Sequence, residues 1–179
     1  MISGTRSLFR SASTIKVGSK LPEATLHRGS PNTHVNTLQH FTPFKRAVIF
    51  GVPGAFTPGC SKTHLPGFVS AHSELQRLGV DHVACISVND AFVMDAWGKA
   101  NGADGNVEML ADPSASFVSA CGLSFDATPV LGNVRSKRFS MVVEHGIVKA
   151  LNVEPNGTGL TCTLASNVVE DLKKQLGKK

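Results

Sequence analysis

Apolar positions along the chain follow two rhythms. RAVIFGV (46–52) is a short continuous apolar run with β-branched members, closed by Pro53-Gly54, which is the pattern of a buried strand. DHVACISV (81–88) and NVEMLAD (106–112) repeat it. Between these runs the period lengthens. In SKTHLPGFVSAHSELQRLG (61–79), Leu65, Phe68, Val69, His72, Leu75 and Leu78 recur at helical spacing, and Gly79 supplies a stop. Pro66 and Gly67 fall early in that segment and predict kinked or tightened first turns. Asn89-Asp90 caps a second helix running to about Asn101, with Phe92, Met94 and Trp97 available to pack. Pro113-Ser114 is expected to open a short helix through Ser119. KRFSMVVEHGIVKALNVE (137–154) reads as two extended runs turning at Glu144-His145-Gly146. A last helix is expected from Ala165 to Lys174, with Val168, Val169, Leu172 and Leu176 on one side. RGSPNTH (28–34) reads as a turn between two short extended runs.

Strands alternate with helices first, and a hairpin with a terminal helix follows. That order predicts an α/β fold, a central mixed β-sheet flanked by helices, and the thioredoxin-like architecture has this order. The chain has 179 residues, enough for one domain with a full core. With 41% apolar and 17% charged residues, the composition is globular. No stretch approaches the ~20 apolar residues of a spanning helix, so no membrane role is expected.

The formal charge of +5 is concentrated at the ends. Arg6, Arg10, Lys16 and Lys20 precede the first acid, Glu23, and Lys173, Lys174, Lys178 and Lys179 crowd the last seven positions. With no tyrosine and one tryptophan, basic and aromatic residues do not interleave, which argues against a nucleic-acid surface. The opening MISGTRSLFRSASTIKVG has arginine, serine and apolar residues but no acid and no continuous apolar core. Residues 1–13 therefore read as a mitochondrial transit peptide ahead of a domain at 14–179, which places the protein in the mitochondrial matrix, with the cytoplasm as the alternative.

Four cysteines, Cys60, Cys85, Cys121 and Cys162, are widely spaced, with no C-x-x-C pair and no Cys/His cluster of zinc spacing. They serve as small buried hydrophobes or in redox chemistry. The seven histidines are scattered and read mostly as surface or loop residues. In α/β sheets, function gathers where strand ends feed helix starts, and VIFGVPGAFTPGCSKTHL is such a junction. Cys60 should lie in the first turn of the following helix, where unpaired N–H groups and the helix dipole favour a thiolate. Pro53 and Pro58 fix φ, and Gly51, Gly54 and Gly59 let the backbone approach a small ligand. Thr57 stands three residues before Cys60, so a hydroxyl occupies the place of one sulfur in a C-x-x-C spacing.

PGAFTPGC followed by SKTHLPGFV resembles the signature of the peroxiredoxins. The likeness is to the atypical two-cysteine class, the peroxiredoxin-5 type, and more widely to the plant type II members. It continues through ACISVNDAFVMDAWG, KRFSMVVEHGIVKALNVEP and GTGLTCTLA, and is weakest over residues 120–134. The resemblance implies a thiol peroxidase that uses no metal and no haem, acting on hydrogen peroxide, alkyl hydroperoxides and peroxynitrite. It implies Cys60 as the peroxidatic cysteine, Thr57 as the peroxide's hydrogen-bond partner, and Pro53 and Gly59 in the substrate pocket. Arg138 would stabilise the thiolate and the departing oxyanion; read alone, it is a surface charge near a strand start. The animal class resolves through a cysteine at the Cys162 position, whereas plant enzymes place theirs at Cys85. Cys162 is the expected resolving residue, because Cys85 sits in an apolar strand, and Cys121 matches no family cysteine. A Cys60–Cys162 disulfide would need local movement, since bridged Cα atoms lie only ~5–6 Å apart. The resemblance further implies thioredoxin as reductant and a homodimer. The alternative is a thioredoxin-fold module in which Cys60 senses peroxide without sustained turnover.

Overall fold

The computed structural model describes residues 14–177; the leader at 1–13 lies outside the described residues. Nine strands and six α-helices follow one another in the order β1 Thr25–Arg28, β2 Ser30–Asn36, α1 Thr37–Phe41, β3 Ala47–Val52, α2 Leu65–Arg77, β4 His82–Ser87, α3 Ala91–Ala100, β5 Glu108–Ala111, α4 Ser116–Ala120, β6 Ser124–Asp126, α5 Thr128–Leu131, β7 Val134–Ser136, β8 Phe139–Glu144, β9 Ile147–Val153 and α6 Ala165–Leu176. A π-helical turn, Cys60–His64, precedes α2. Seven strands form one mixed sheet in the order β2-β1-β5-β4-β3-β8-β9, and β6-β7 form a separate ribbon. Pairing is parallel for β3–β4 and β4–β5 and antiparallel for the other neighbours.

Alternation along the central strands splits the core into two layers, because successive side chains of a strand face opposite ways. Val48, Phe50 and Val52 of β3 pack with Leu65, Phe68 and Leu75 of α2, Trp97 of α3 and Val168 and Leu172 of α6. Ala47 and Ile49 face the other layer, with Phe41 of α1 and Phe117 and Val118 of α4. Both faces of β3 are therefore buried, which is why its sequence is continuously apolar. At Gly51 the layer is so tight that a Cβ would stand 2.1 Å from Phe139 Cε1.

The long elements match the sequence reading, and the differences have physical causes. The expected turn at 28–34 shrinks to Gly29, whose φ of 66° makes the reversal, so Ser30–Asn36 joins the sheet. Pro113-Ser114 forms a turn, and α4 begins only at Ser116. The Asp112 carboxylate caps it, accepting from the Ser116, Phe117 and Val118 N–H groups at 2.8–3.0 Å. Leu176 lies 39% exposed rather than on the packed side of α6. The first turns before α2 widen instead of tightening, since the Leu65 N–H bonds the Cys60 carbonyl five residues back. Pro66 has no N–H to give the carbonyl four residues back and its ring crowds that position, and a π-turn accommodates both.

Candidate active site

The segment 53–60 leaves the C-terminal end of β3 and runs directly into helix. Thr57 stands at the helix boundary: its carbonyl accepts the Ser61 N–H at 2.9 Å, and its hydroxyl donates to the Gly54 carbonyl at 2.8 Å. Pro58 follows at the first helical position, where a missing N–H costs nothing. Cys60 thus falls in the first turn, as expected, and is fully buried. The loop is anchored from the side by Asn89, which accepts the Ala55 N–H at 3.0 Å and the Ser87 hydroxyl at 2.7 Å. Phe56, between these anchors, is held at a φ of 62°, a left-handed conformation that costs a bulky residue of order 1 kcal/mol and needs support from its surroundings.

Arg138 is only 3% exposed, so the surface-charge reading of this residue is wrong. Its Nη1 donates to Cys60 Sγ at 3.3 Å and to His64 Nδ1 at 3.2 Å, and its Nε donates to the Thr158 carbonyl at 3.3 Å. Gly59 lets this happen: a Cβ there would press on Arg138 Nη2 at 3.3 Å and Leu160 Cδ1 at 3.4 Å. His64 completes the cluster and corrects the expectation of surface histidines. It is fully buried, edge-on to Phe50 and Phe68. Its Nε2–H donates to the Thr163 carbonyl at 2.9 Å, which leaves Nδ1 as the acceptor for Arg138. Burial above all, and the Arg138 charge, lower its pKa to about 4, so it is a neutral imidazole. Arg135 approaches the loop from the ribbon side, with Nη1 3.3 Å from where a Gly54 Cβ would sit.

Cys162 lies on the loop between β9 and α6 and is partly exposed, with its thiol 3.5 Å from the Val153 carbonyl. One carboxylate organises that loop. Glu154, 1% exposed, accepts the N–H groups of Thr161, Cys162 and Thr163 and the hydroxyls of Thr161 and Thr163, all within 2.7–3.2 Å. Burial opposes its ionisation, but the donors outweigh it and bring the pKa down to about 2. Neither His64 nor Glu154 stands out in the sequence; His64's place one helical turn beyond Cys60 was the available signal. All four thiols are free. Cys85, paired across from Phe50, is completely enclosed, and burial followed by proximity to Cys60 pushes its thiol well above the ordinary range. Cys121 lies in the other core layer, where burial and then Asp112 push it up to about 12. Pro53 is buried at the base of the loop.

Comparison with known proteins agrees with this geometry. A family profile described as Redoxin matches residues 16–172. Peroxiredoxin-2E, chloroplastic, of Arabidopsis thaliana is 42% identical over 168 residues, covering 91% of this chain and 70% of the relative. The structure of reduced Prx3 in complex with H2O2 from Vibrio vulnificus superposes with a TM-score of 0.82 at 42% identity, covering 89% of this chain and 99% of that one. Peroxiredoxin 5 from Alvinella pompejana superposes with a TM-score of 0.79 at 32% identity, covering 90% and 99%. These likenesses establish the thioredoxin-like fold and a peroxidase activity in the oxidoreductase class, and the chain belongs to the peroxiredoxins, as a member of the atypical two-cysteine, peroxiredoxin-5-like type.

Proposed function

We propose that Cys60 is the peroxidatic residue and Cys162 the resolving residue of a thioredoxin-recycled peroxidase for hydrogen peroxide, alkyl hydroperoxides and peroxynitrite. The observation that carries this reading is the Arg138 Nη1–Cys60 Sγ contact of 3.3 Å at a helix start, inside the core. The thiolate attacks one peroxide oxygen, the O–O bond breaks, and its electron pair leaves with the other oxygen, which takes a proton and departs as water or alcohol, or leaves peroxynitrite as nitrite. Cys60 becomes a sulfenic acid. A fixed guanidinium aimed at the sulfur stabilises charge both before attack and on the departing oxygen, and the water-poor surroundings strengthen that effect. Thr57, whose hydroxyl proton is committed to Gly54, keeps lone pairs free to accept from a peroxide O–H. Pro53 and Gly59 shape the floor.

The Cys162 thiolate then attacks the sulfenic sulfur, water leaves, and a disulfide forms that a thioredoxin dithiol reduces. Plant type II likeness favours Cys85 in this step. Burial raises both thiols, so exposure decides: Cys85 is completely enclosed, whereas Cys162 is partly exposed on a loop. For the disulfide to form, either the π-turn before α2 unwinds or the 161–163 loop releases from Glu154.

A homodimer fits the same face. Phe56, Phe92 and Val130 are 59%, 64% and 84% exposed, and their segments meet where Ala55 bonds Asn89 and Gly54 approaches Leu131. Import of the chain by way of residues 1–13 also belongs to the proposal. Peroxiredoxin-2E and Peroxiredoxin-2E-2 are chloroplastic, so a reporter fused to these residues should be followed into mitochondria and plastids alike. The activity is tested by peroxide consumption with thioredoxin, with glutathione and with excess dithiothreitol. Sustained turnover with thioredoxin is expected; loss of one peroxide per chain and no more would make the protein a sensor.

A further inference from the structure

At the end of the sheet away from Cys60, three side chains converge on one point. His82 opens β4, Glu108 opens β5, and His40 lies in the last turn of α1. The Nε2 atoms of both histidines reach the same carboxylate oxygen, Glu108 Oε2, at 2.7 Å each. Arg28 Nη1 donates to the other oxygen, Oε1, at 2.8 Å. The rings are fixed by packing: Phe44 stacks on His82 with centroids 4.3 Å apart, and His40 stands edge-on to Phe41 at 4.9 Å. A cavity of about 320 Å³ opens beside His82 and Glu108, lined also by His72, Gln76 and Asp81.

We propose that His40, His82 and Glu108 form a binding site for a divalent transition metal of the Zn2+ kind, separate from the peroxidase chemistry. Two imidazoles and one carboxylate with an open fourth position are a donor set that zinc accepts, and nitrogen ligands select against Ca2+ and Mg2+. The three ligand atoms already lie within 4.8 Å of one another. Tetrahedral bonds of about 2.0 Å place ligand atoms about 3.3 Å apart, so each N···O pair opens by roughly half an ångström when the ion enters. Each ring then carries its proton on Nδ1 and presents the Nε2 lone pair. Arg28 stays on Oε1 as the outer partner that orients the ligating carboxylate.

The ion would staple α1 to the starts of β4 and β5. In the β3–β4 pairing, Ala47 faces His82 at one end and Val52 faces Ser87 at the other, and Cys60 lies beyond Val52. Five strand steps of ~3.3 Å put the two sites roughly 15 Å or more apart. The test uses the full chain, reduced and freed of metal by chelation, in a Cys60→Ser/Cys162→Ser background that removes the two thiols of the redox site. Calorimetric titration with ZnCl2 should show one ion per chain, and His82→Ala or Glu108→Gln should weaken binding about 100-fold or more. Co2+ bound at the same site should show visible d–d bands without sulfur-to-cobalt charge transfer. His82→Ala in the otherwise native chain should retain its peroxidase activity, which certifies the fold; should it not, His40→Gln serves as the second variant. Equal affinity in the variants, a thiolate signature, or no binding up to millimolar Zn2+ would overturn the proposal.

Discussion

The surroundings of Cys60 and Cys162 are held by different physics. Cys60 is enclosed by the main core layer, in a turn fixed by Thr57, Asn89, His64 and Arg138, which come from three separate stretches of chain. Cys162 rides on a loop whose order depends on one carboxylate, Glu154. Displacing Arg138 or His64 would mean disturbing strands and helices together. Releasing the Cys162 loop needs the hydrogen bonds to Glu154 to open, together with the thiol's bond to Val153 and the His64 bond to Thr163. The difference matches the division of labour proposed here, in which attack requires a preorganised site and resolution requires a segment that can move. The two are also joined, because the Thr163 carbonyl takes the His64 Nε2–H while the Thr163 hydroxyl and N–H go to Glu154.

The strongest way to break the comparison is at Arg138. Arg138→Gln should lower kcat/KM for hydrogen peroxide by about 10²–10³-fold, the scale for losing a preorganised charge-stabilising donor, as read by stopped-flow peroxide consumption. A retained rate would mean that the guanidinium is structural only. Gly51→Ala comes next: its Cβ would collide with Phe139, adjacent to Arg138, and should cost about 1–3 kcal/mol of unfolding free energy in urea titration together with part of the activity.

Glu154→Gln sharpens the other side. By weakening the hydrogen bonds that hold the loop, it should ease release of Cys162 and speed formation of the Cys60–Cys162 disulfide by about tenfold, the scale of one lost hydrogen bond, while the initial attack on peroxide is affected less, a split that single-turnover kinetics resolves. A smaller effect concerns pH. Glu154, whose pKa falls from the usual 4.5 to about 2 in the fold, contributes stability that is present above about pH 4.5 and is lost as pH falls towards 2. His64 acts in a different window. Its folded value of about 4 lies below the ordinary 6.5, so between those pH values the unfolded chain takes up a proton that the fold refuses. Stability therefore falls as pH drops from 6.5 to 4, and His64→Gln should flatten that part of the curve while leaving the part below 4.5 in place.

What could be read from the sequence depended on length scale. β3, β4, α3 and the β8–β9 hairpin show their periods because each is long enough to alternate or recur against a buried surface. α1, β6, α5 and β7 are three to five residues long, too short for either period to appear, and their places are set by what they pack on. Cys60 and Thr57 were legible because proline, glycine and cysteine act locally within one turn. Arg138 was raised only by its likeness to a family motif. Glu154 was hidden, because a glutamate at the end of a strand looks like a solvated charge until the loop folds over it. His40, His82 and Glu108 were hidden for the same reason, being brought together from 68 and 26 residues apart.

The central claim, that Cys60 attacks and Cys162 resolves, is tested most directly by peptide mapping of the peroxide-oxidised protein. After one equivalent of hydrogen peroxide and rapid alkylation of the remaining thiols, mass spectrometry should find an intramolecular Cys60–Cys162 disulfide, with Cys85 and Cys121 recovered reduced. A dominant Cys60–Cys85 linkage, or a Cys60 sulfenic acid that persists beside an unreacted Cys162, would contradict it.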